Sequence, residues 1–202
     1  MSTKTKAVFS CQSCGYQTPK WLGRCPDCGA WNSFIEEEFQ VSTSKHGTKI
    51  SLKQADPILL NSVELKVQKR LEIGIKELDR VLGGGIVRGG TILIGGDPGI
   101  GKSTIALQIS SNIIKGAHKV HYVSAEESLH QTKLRAQRLG AGEKGDLYII
   151  NQTDLNLIIS CMEKVKPDLM VIDSIQVIHN PDLSSSSGSI SQVRECAGQL
   201  IQ

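Results

Sequence analysis

The run Gly96-Asp97-Pro98-Gly99-Ile100-Gly101-Lys102-Ser103 fills every fixed position of G-x-x-x-x-G-K-[ST], and nothing else in the 202 residues restricts the fold as much. Such a loop works only where a strand delivers the chain to a helix N-terminus, because backbone N–H groups of the turn and of the first helical residues must converge on phosphate oxygens. The flanking sequence predicts that setting. Thr91 to Ile94 reads as a buried strand, and Lys102 to about Lys115 as a helix with apolar residues at Ile105, Leu107, Ile109 and Ile113. Gly99 and Gly101 let the backbone curl, Lys102 brings a point charge to the phosphates, and the Ser103 hydroxyl is a Mg²⁺ ligand. Thr104, next in the helix, is counted with them as nucleotide-binding. A plain Gly-rich turn would explain the glycines but not a Lys and a Ser in register behind them. The expected ligand is ATP or a close relative with Mg²⁺.

From about Ile58 onward, short apolar runs alternate with amphipathic segments, the pattern of βαβ units and a mainly parallel sheet, so the expected fold class is α/β. Ile75 to Leu82 predicts a short helix stopped by Gly83-Gly84-Gly85. Val120 to Ser124, Leu147 to Ile150 and Leu169 to Ile172 predict strands; Leu129 to Leu139, Asp154 to Lys166 and a segment starting near Ser191 predict helices. Asp173, at the tip of an apolar strand, has the Walker B pattern of a second magnesium-positioning group. An Asp there is also a common turn or cap residue; the upstream P-loop favours magnesium. Ligands of parallel sheets lie beyond the carboxyl ends of the strands, so Asp173 and the P-loop should open onto one crevice. Glu126 and Glu127 stand just past the strand ending at Ser124, and either can orient and deprotonate an attacking water. Both can equally be solvated carboxylates ahead of a Ser128 helix cap, and the residues alone do not separate them.

The first 28 residues hold four of the chain's six cysteines, as Cys11-x2-Cys14 and Cys25-x2-Cys28 with ten residues between the pairs. Two such knuckles supply four thiolates to one tetrahedral zinc, and Gly15 and Gly29 suit the tight turns behind them. With all four positions filled the Zn²⁺ is structural, in place of a core that a thirty-residue module cannot build. Disulfides and iron are the alternatives. Trp21 and Trp31 are expected to pack around the knuckles, and Cys161 and Cys196 to be packing residues on helices. The chain thus divides into a zinc ribbon over 8–35, a polar linker over 36–57 and a P-loop core over 58–202. A net charge of +3 argues neither for nor against nucleic acid. With no signal peptide and no long apolar run, the reading is a soluble, cytoplasmic protein without a membrane partner.

Taken together, these residues resemble the RadA (Sms) family of bacterial DNA repair proteins, which are RecA-superfamily ATPases, nearly end to end. The resemblance rests on CxSCGYxTPKWLGRCPDCGAWNSF, on GIKELDRVLGGGIVRGG ahead of GGDPGIGKST, on YVSAEES with QTKLRAQRLG, on VIDSIQ and on SQVRECA. It implies a RecA-like core in which Glu126 is the catalytic glutamate, acting with Lys102. It further implies a DNA-dependent ATPase that processes recombination intermediates and promotes branch migration with the RecA recombinase, as a hexameric ring threading single-stranded DNA. By the same resemblance residues 184–194, Arg194 among them, touch single-stranded or branched DNA; by composition alone this Ser/Gly tract is a mobile loop. Lys133, Arg135 and Arg138 can face DNA or a neighbouring subunit, though three cations on one helix ordinarily make a solvated face.

The family continues into further core strands, a KNRFG motif and a Lon-protease-like domain that this sequence lacks. The chain therefore reads as a truncated product whose sheet ends at an exposed edge. The alternative function is a nucleotide-binding zinc-ribbon interaction module with negligible turnover. A KaiC-like ATPase with other partners is disfavoured by the zinc module.

Overall fold

The computed structural model describes residues 6–39, 59–64, 69–142, 145–183 and 185–202. Around the two knuckles the chain forms a three-stranded antiparallel sheet. β1 (Lys6–Cys11) pairs with β2 (Gln17–Thr18) through Phe9↔Thr18 and with β3 (Phe34–Phe39) from Lys6↔Phe39 to Cys11↔Phe34. Cys11, Cys25 and Phe34 are buried together, with Phe9, Cys14 and Leu22 against them. β3 extends four residues, 36–39, into the stretch read as linker, because pairing with β1 continues there; residues 40–57 of that stretch lie outside the described residues. The expectation for the tryptophans is corrected. Trp21 and Trp31 are 52% and 71% exposed, and Trp31 lies under the Arg24 guanidinium at 5.7 Å. Phe9, Leu22 and Phe34, not the indoles, supply the apolar contacts to the cysteines.

The second unit begins with a Leu71–Ile86 bridge whose two backbone hydrogen bonds are 2.8 Å each. Between them lies α1 (Lys76–Val81), held by the Asp79 carboxylate, which accepts from the N–H groups of Ile73 and Gly74 at 2.9 Å. Gly85 makes the return possible: its φ is +120°, and a Cβ there would lie 2.6 Å from the Leu71 carbonyl oxygen.

Then follow α2 (Lys102–Lys115), β4 (Val120–Ser124), α3 (Leu129–Arg138), β5 (Leu147–Ile150), α4 (Leu155–Val165), β6 (Leu169–Asp173) and α5 (Ile190–Ile201). The strands are parallel in the order β5-β4-β6, and central β4 is buried throughout. Strand periodicity sends Val120 and Tyr122 to the α2 face, among Ala106, Leu107, Ile109 and Ile113, and Val123 to the other face, among Leu155, Ile158, Ile178 and Cys196. Full burial of each of these aliphatic side chains stabilises by about 1.5–3 kcal/mol. Ser128 and Gln131 form a reciprocal capping box at the start of α3, and Asp154 caps α4. Among the described residues no helix is long and apolar enough to cross a membrane.

Thr91 to Ile94 departs from expectation. The segment joins no strand ladder, and Ile92, Leu93 and Ile94 are 44%, 86% and 41% exposed. An apolar run becomes a buried strand only between neighbours that take its backbone hydrogen bonds, and β6 is the last strand of the sheet on that side among the described residues.

His121 is fully buried on β4, with Tyr148 and Met170 opposite it on the adjacent strands, and neither ring nitrogen has a hydrogen-bond partner. Burial holds its pKa below the ordinary value. The unfolded chain therefore binds the proton more readily. The stabilisation is complete above the ordinary histidine pKa of about 6.5 and is lost as pH falls below it, with a slope of at most about 1.4 kcal/mol per pH unit. His121→Leu is expected to remove this component, so that urea midpoints of variant and parent diverge as pH drops from 7 to 5; parallel curves would refute it.

Candidate nucleotide and zinc sites

Residues 96–101 are exposed and pass directly into α2. Gly99 (φ +80°) and Gly101 (φ +105°) occupy left-handed backbone that other residues rarely adopt, and a Cβ at either would meet nothing within 4 Å, so conformation rather than space calls for glycine. No side chain caps α2, which leaves its first-turn N–H groups directed into the loop. Lys102 Nζ donates to the carbonyl oxygens of Gly96 and Asp97 at 2.8 Å each, so its charge lies across the loop mouth. Ser103 Oγ donates to Asp173 Oδ1 at 3.1 Å. The structure thus brings together the P-loop hydroxyl and the strand-tip carboxylate, 70 residues apart in the chain. Thr104 follows in the same helical turn, half-buried.

The second Asp173 oxygen is also occupied. Tyr122 donates its hydroxyl to Oδ2 at 2.6 Å from the interior, and burial, reinforced by that carboxylate, keeps the phenol protonated well above its ordinary range. No sequence motif marks Tyr122 as a site residue. The signal available was strand alternation, which sends its side chain toward the α2 face.

The two competing glutamates part company. Glu127 is paired with Arg135 at 2.5 Å, both side chains about 30% exposed. Glu126 instead accepts a hydrogen bond from Ser174 Oγ, and Ser174 follows Asp173 through a cis peptide bond. Loop 125–128 is fixed from three directions. Ala125 N–H donates to the Asp173 carbonyl at 2.8 Å, Ser124 Oγ donates to the Glu127 carbonyl at 2.8 Å, and Asn151 Nδ2 donates to the carbonyls of Ser124 and Glu127 at 2.7 and 2.8 Å. Glu126 is thereby held beside Asp173 through the residue that follows it, while Glu127, paired with Arg135, acts on the Tyr122 hydroxyl only through its charge. Arg135, read as a candidate for DNA, is committed to Glu127, whereas Lys133 and Arg138 are exposed.

Arg194 lies on α5, the helix expected to start near Ser191. It approaches the ribbon: a Cβ on Gly15 would be 3.6 Å from both terminal nitrogens of Arg194 and 3.1 Å from Ile190 Cγ2. Of the Ser/Gly tract, Ser184 lies outside the described residues, while Ser185 and Asn180 are held by the buried Gln192, whose Nε2 donates to both carbonyls. Cys196 is buried against Val123 and Leu155, and Cys161 is half-buried on α4.

In the ribbon the Sγ atoms of Cys11, Cys14, Cys25 and Cys28 all lie within 4.8 Å of one another, with Cys11–Cys28 at 3.7 Å and Cys14–Cys25 at 3.5 Å. A tetrahedron with Zn–S bonds of about 2.3 Å has edges of roughly 3.8 Å, so the cage fits Zn²⁺. The knuckles match each other: Gly15 N–H donates to the Cys11 carbonyl at 2.8 Å and Gly29 N–H to that of Cys25 at 2.9 Å. Burial alone would raise the Cys11 pKa, but hydrogen bonds from Ser33 and from the backbone at Ser13 and Cys14 outweigh it and bring the value down to about 6. For Cys14 the backbone hydrogen bond at Tyr16 acts downward, yet burial and the three neighbouring sulfurs push the thiol up to about 12. Only a cation at the centre allows all four to be thiolates together.

Comparison with known proteins agrees with both halves. Residues 9–36 match a zinc-ribbon family described as a rubredoxin metal binding domain, and residues 71–153 match an ATPase family described as KaiC. The chain is 44% identical to DNA repair protein RadA of Bacillus subtilis (strain 168) over 204 residues, which is 98% of this chain and 44% of that protein. It is 46% identical over 200 residues to the protein of the same name from Streptococcus pyogenes serotype M6, again 98% of this chain and 44% of that protein. To the Listeria monocytogenes protein of that name it is 45% identical over 202 residues, 98% of this chain and 43% of that protein. The chain therefore spans less than half the length of these relatives. It carries a four-cysteine zinc ribbon followed by a RecA-type P-loop ATPase domain of α/β class, and its resemblance to RadA runs along nearly all of its length.

Proposed function

We propose that the chain binds and hydrolyses ATP as the nucleotide-handling part of a bacterial DNA repair enzyme. The observation that carries this reading is the meeting of Ser103, Asp173 and Glu126 at the carboxyl ends of β4 and β6 beside the P-loop. In it, the N–H groups of 99–103 bind phosphate oxygens, and Lys102 exchanges the Gly96 and Asp97 carbonyls for phosphate. Ser103 and Asp173 would hold Mg²⁺, which when bound neutralises charge on the phosphates. Glu126, oriented by Ser174, takes a proton from the water whose oxygen bonds to the terminal phosphorus as the bond to the ADP oxygen breaks. In the ribbon, Cys11, Cys14, Cys25 and Cys28 hold structural Zn²⁺.

The name shared by these relatives, DNA repair protein RadA, supports repair as the setting. The finer reading is a cytoplasmic, DNA-dependent ATPase of recombination that works with the RecA recombinase on branched intermediates and assembles as a ring. Further strands of the same domain, covering residues 91–94, belong to that reading. A second reading, nucleotide binding with negligible turnover, is favoured by the unpaired 91–94 segment, since the strand feeding the P-loop lacks its ladder. ATP hydrolysis by the zinc-loaded chain with and without single-stranded DNA decides between them. Turnover stimulated by DNA and lost in Lys102→Ala is the expected result; nucleotide binding without turnover would select the second reading.

A further inference from the structure

We propose that Tyr122 is the positioning residue of the magnesium-binding carboxylate, acting from inside the core on Asp173; the inference rests on the reading of Asp173 as a magnesium group. A terminal carboxylate torsion is broad and two-fold, so an Asp at a strand tip does not hold one oxygen toward a metal by itself. Here each oxygen has its own partner from a different element. Oδ2 takes the Tyr122 hydroxyl from central strand β4 at 2.6 Å, and Oδ1 faces Ser103 of the P-loop at 3.1 Å. Tyr122 cannot readily follow a moving carboxylate: it is 1% exposed and packed against Ala106 and Leu107 of the helix that begins at the P-loop. The same packed ring therefore ties the height of the carboxylate to the position of α2 and leaves Oδ1 as the oxygen presented to the cation. Seating depends on a hydrogen bond to a charged acceptor, one of the stronger kinds.

Tyr122→Phe keeps the ring and removes only the donor. Binding of a fluorescent ATP analogue in EDTA is expected to be unchanged, while the Mg²⁺ concentration that half-saturates the metal-dependent gain in affinity rises by roughly 10- to 150-fold, as loss of one charge-assisted hydrogen bond implies. Asp173→Asn serves as the reference. If it leaves the Mg²⁺ response intact, the assignment of Asp173 fails and with it the premise; if it abolishes the response and Tyr122→Phe titrates like the parent, the role of Tyr122 alone is overturned. Adding Tyr122→Phe to Asp173→Asn should change nothing further, and an additive loss would mean that Tyr122 acts on packing. Should the Phe variant fail to fold, ¹³Cζ-tyrosine NMR of the parent chain decides. The Tyr122 resonance, one of three, should shift when Mg²⁺ is added to the nucleotide complex, and an unmoved resonance would refute the proposal.

Discussion

Glu126→Gln is expected to lower ATP turnover by about 10²- to 10⁴-fold, the usual contribution of a positioned general base, with nucleotide affinity little changed. The amide keeps the shape of the carboxylate and still accepts from Ser174, so the loop should stay in place; what disappears is the capacity to take a proton from water. Glu127→Gln is the informative partner. It weakens the pair with Arg135 while the loop keeps its bonds to Asn151 and Ser124, so its effect on turnover should be far smaller. Single-turnover hydrolysis and equilibrium binding of a fluorescent analogue, run on both variants, separate chemistry from affinity. A larger fall in the Glu127 variant would exchange the roles of the two carboxylates. An unaffected Glu126 variant would remove the general base from the mechanism.

Zinc removal is expected to unfold the N-terminal ribbon and leave the α/β unit standing. Structural zinc contributes roughly 10–16 kcal/mol of apparent binding free energy in ribbon-sized modules, comparable with or larger than the whole stability of an ordinary domain. Among the described residues, the ribbon's apolar cluster is Phe9, Leu22 and Phe34 with Cys11, Cys14 and Cys25. Trypsin reads the outcome locally, because Lys20 and Arg24 lie between the knuckles: chelation should open both sites while the segment from α2 to α5 stays protected. Cys25→Ser should reproduce the cleavage with metal present. Continued protection after verified zinc loss would mean that the sheet stands without it. Because the ligands must lose protons, and Cys14 sits near 12 among its neighbours, zinc should be released more readily as pH falls.

The features legible in the sequence are those governed by nearby residues. The limits of α2 and the positions of β4, β5 and β6 follow from apolar spacing and from glycines and cap residues within a few positions. Thr91 to Ile94 looked equally strand-like, but a strand also needs partners on its flanks, which no local pattern encodes. Trp21 and Trp31 illustrate the converse, since large apolar side chains stay outside where Phe9, Leu22 and Phe34 already pack against the cysteines. The division of labour between Glu126 and Glu127 depends on Arg135, from the last turn of α3, and on Asn151, just past the end of β5. Tyr122 became visible as a site residue only once β4 and β6 were side by side. The approach of Arg194 to Gly15 is illegible for the same reason, since the two lie almost the whole chain apart.

The bond from Ala125 N–H to the Asp173 carbonyl extends the β4–β6 ladder one step past the sheet, into the loop that carries Glu126. The crevice therefore has unlike walls. One is a fixed jaw in which both carboxylates hang from laced strands and keep their spacing; the other, the exposed glycine loop, is closed chiefly by Lys102 on two of its own carbonyls. In the proposed reaction, adjustment to an entering nucleotide falls to the loop jaw, and the distance between the groups that would hold the cation and the group that would receive the proton is set by the gauge of the β-sheet.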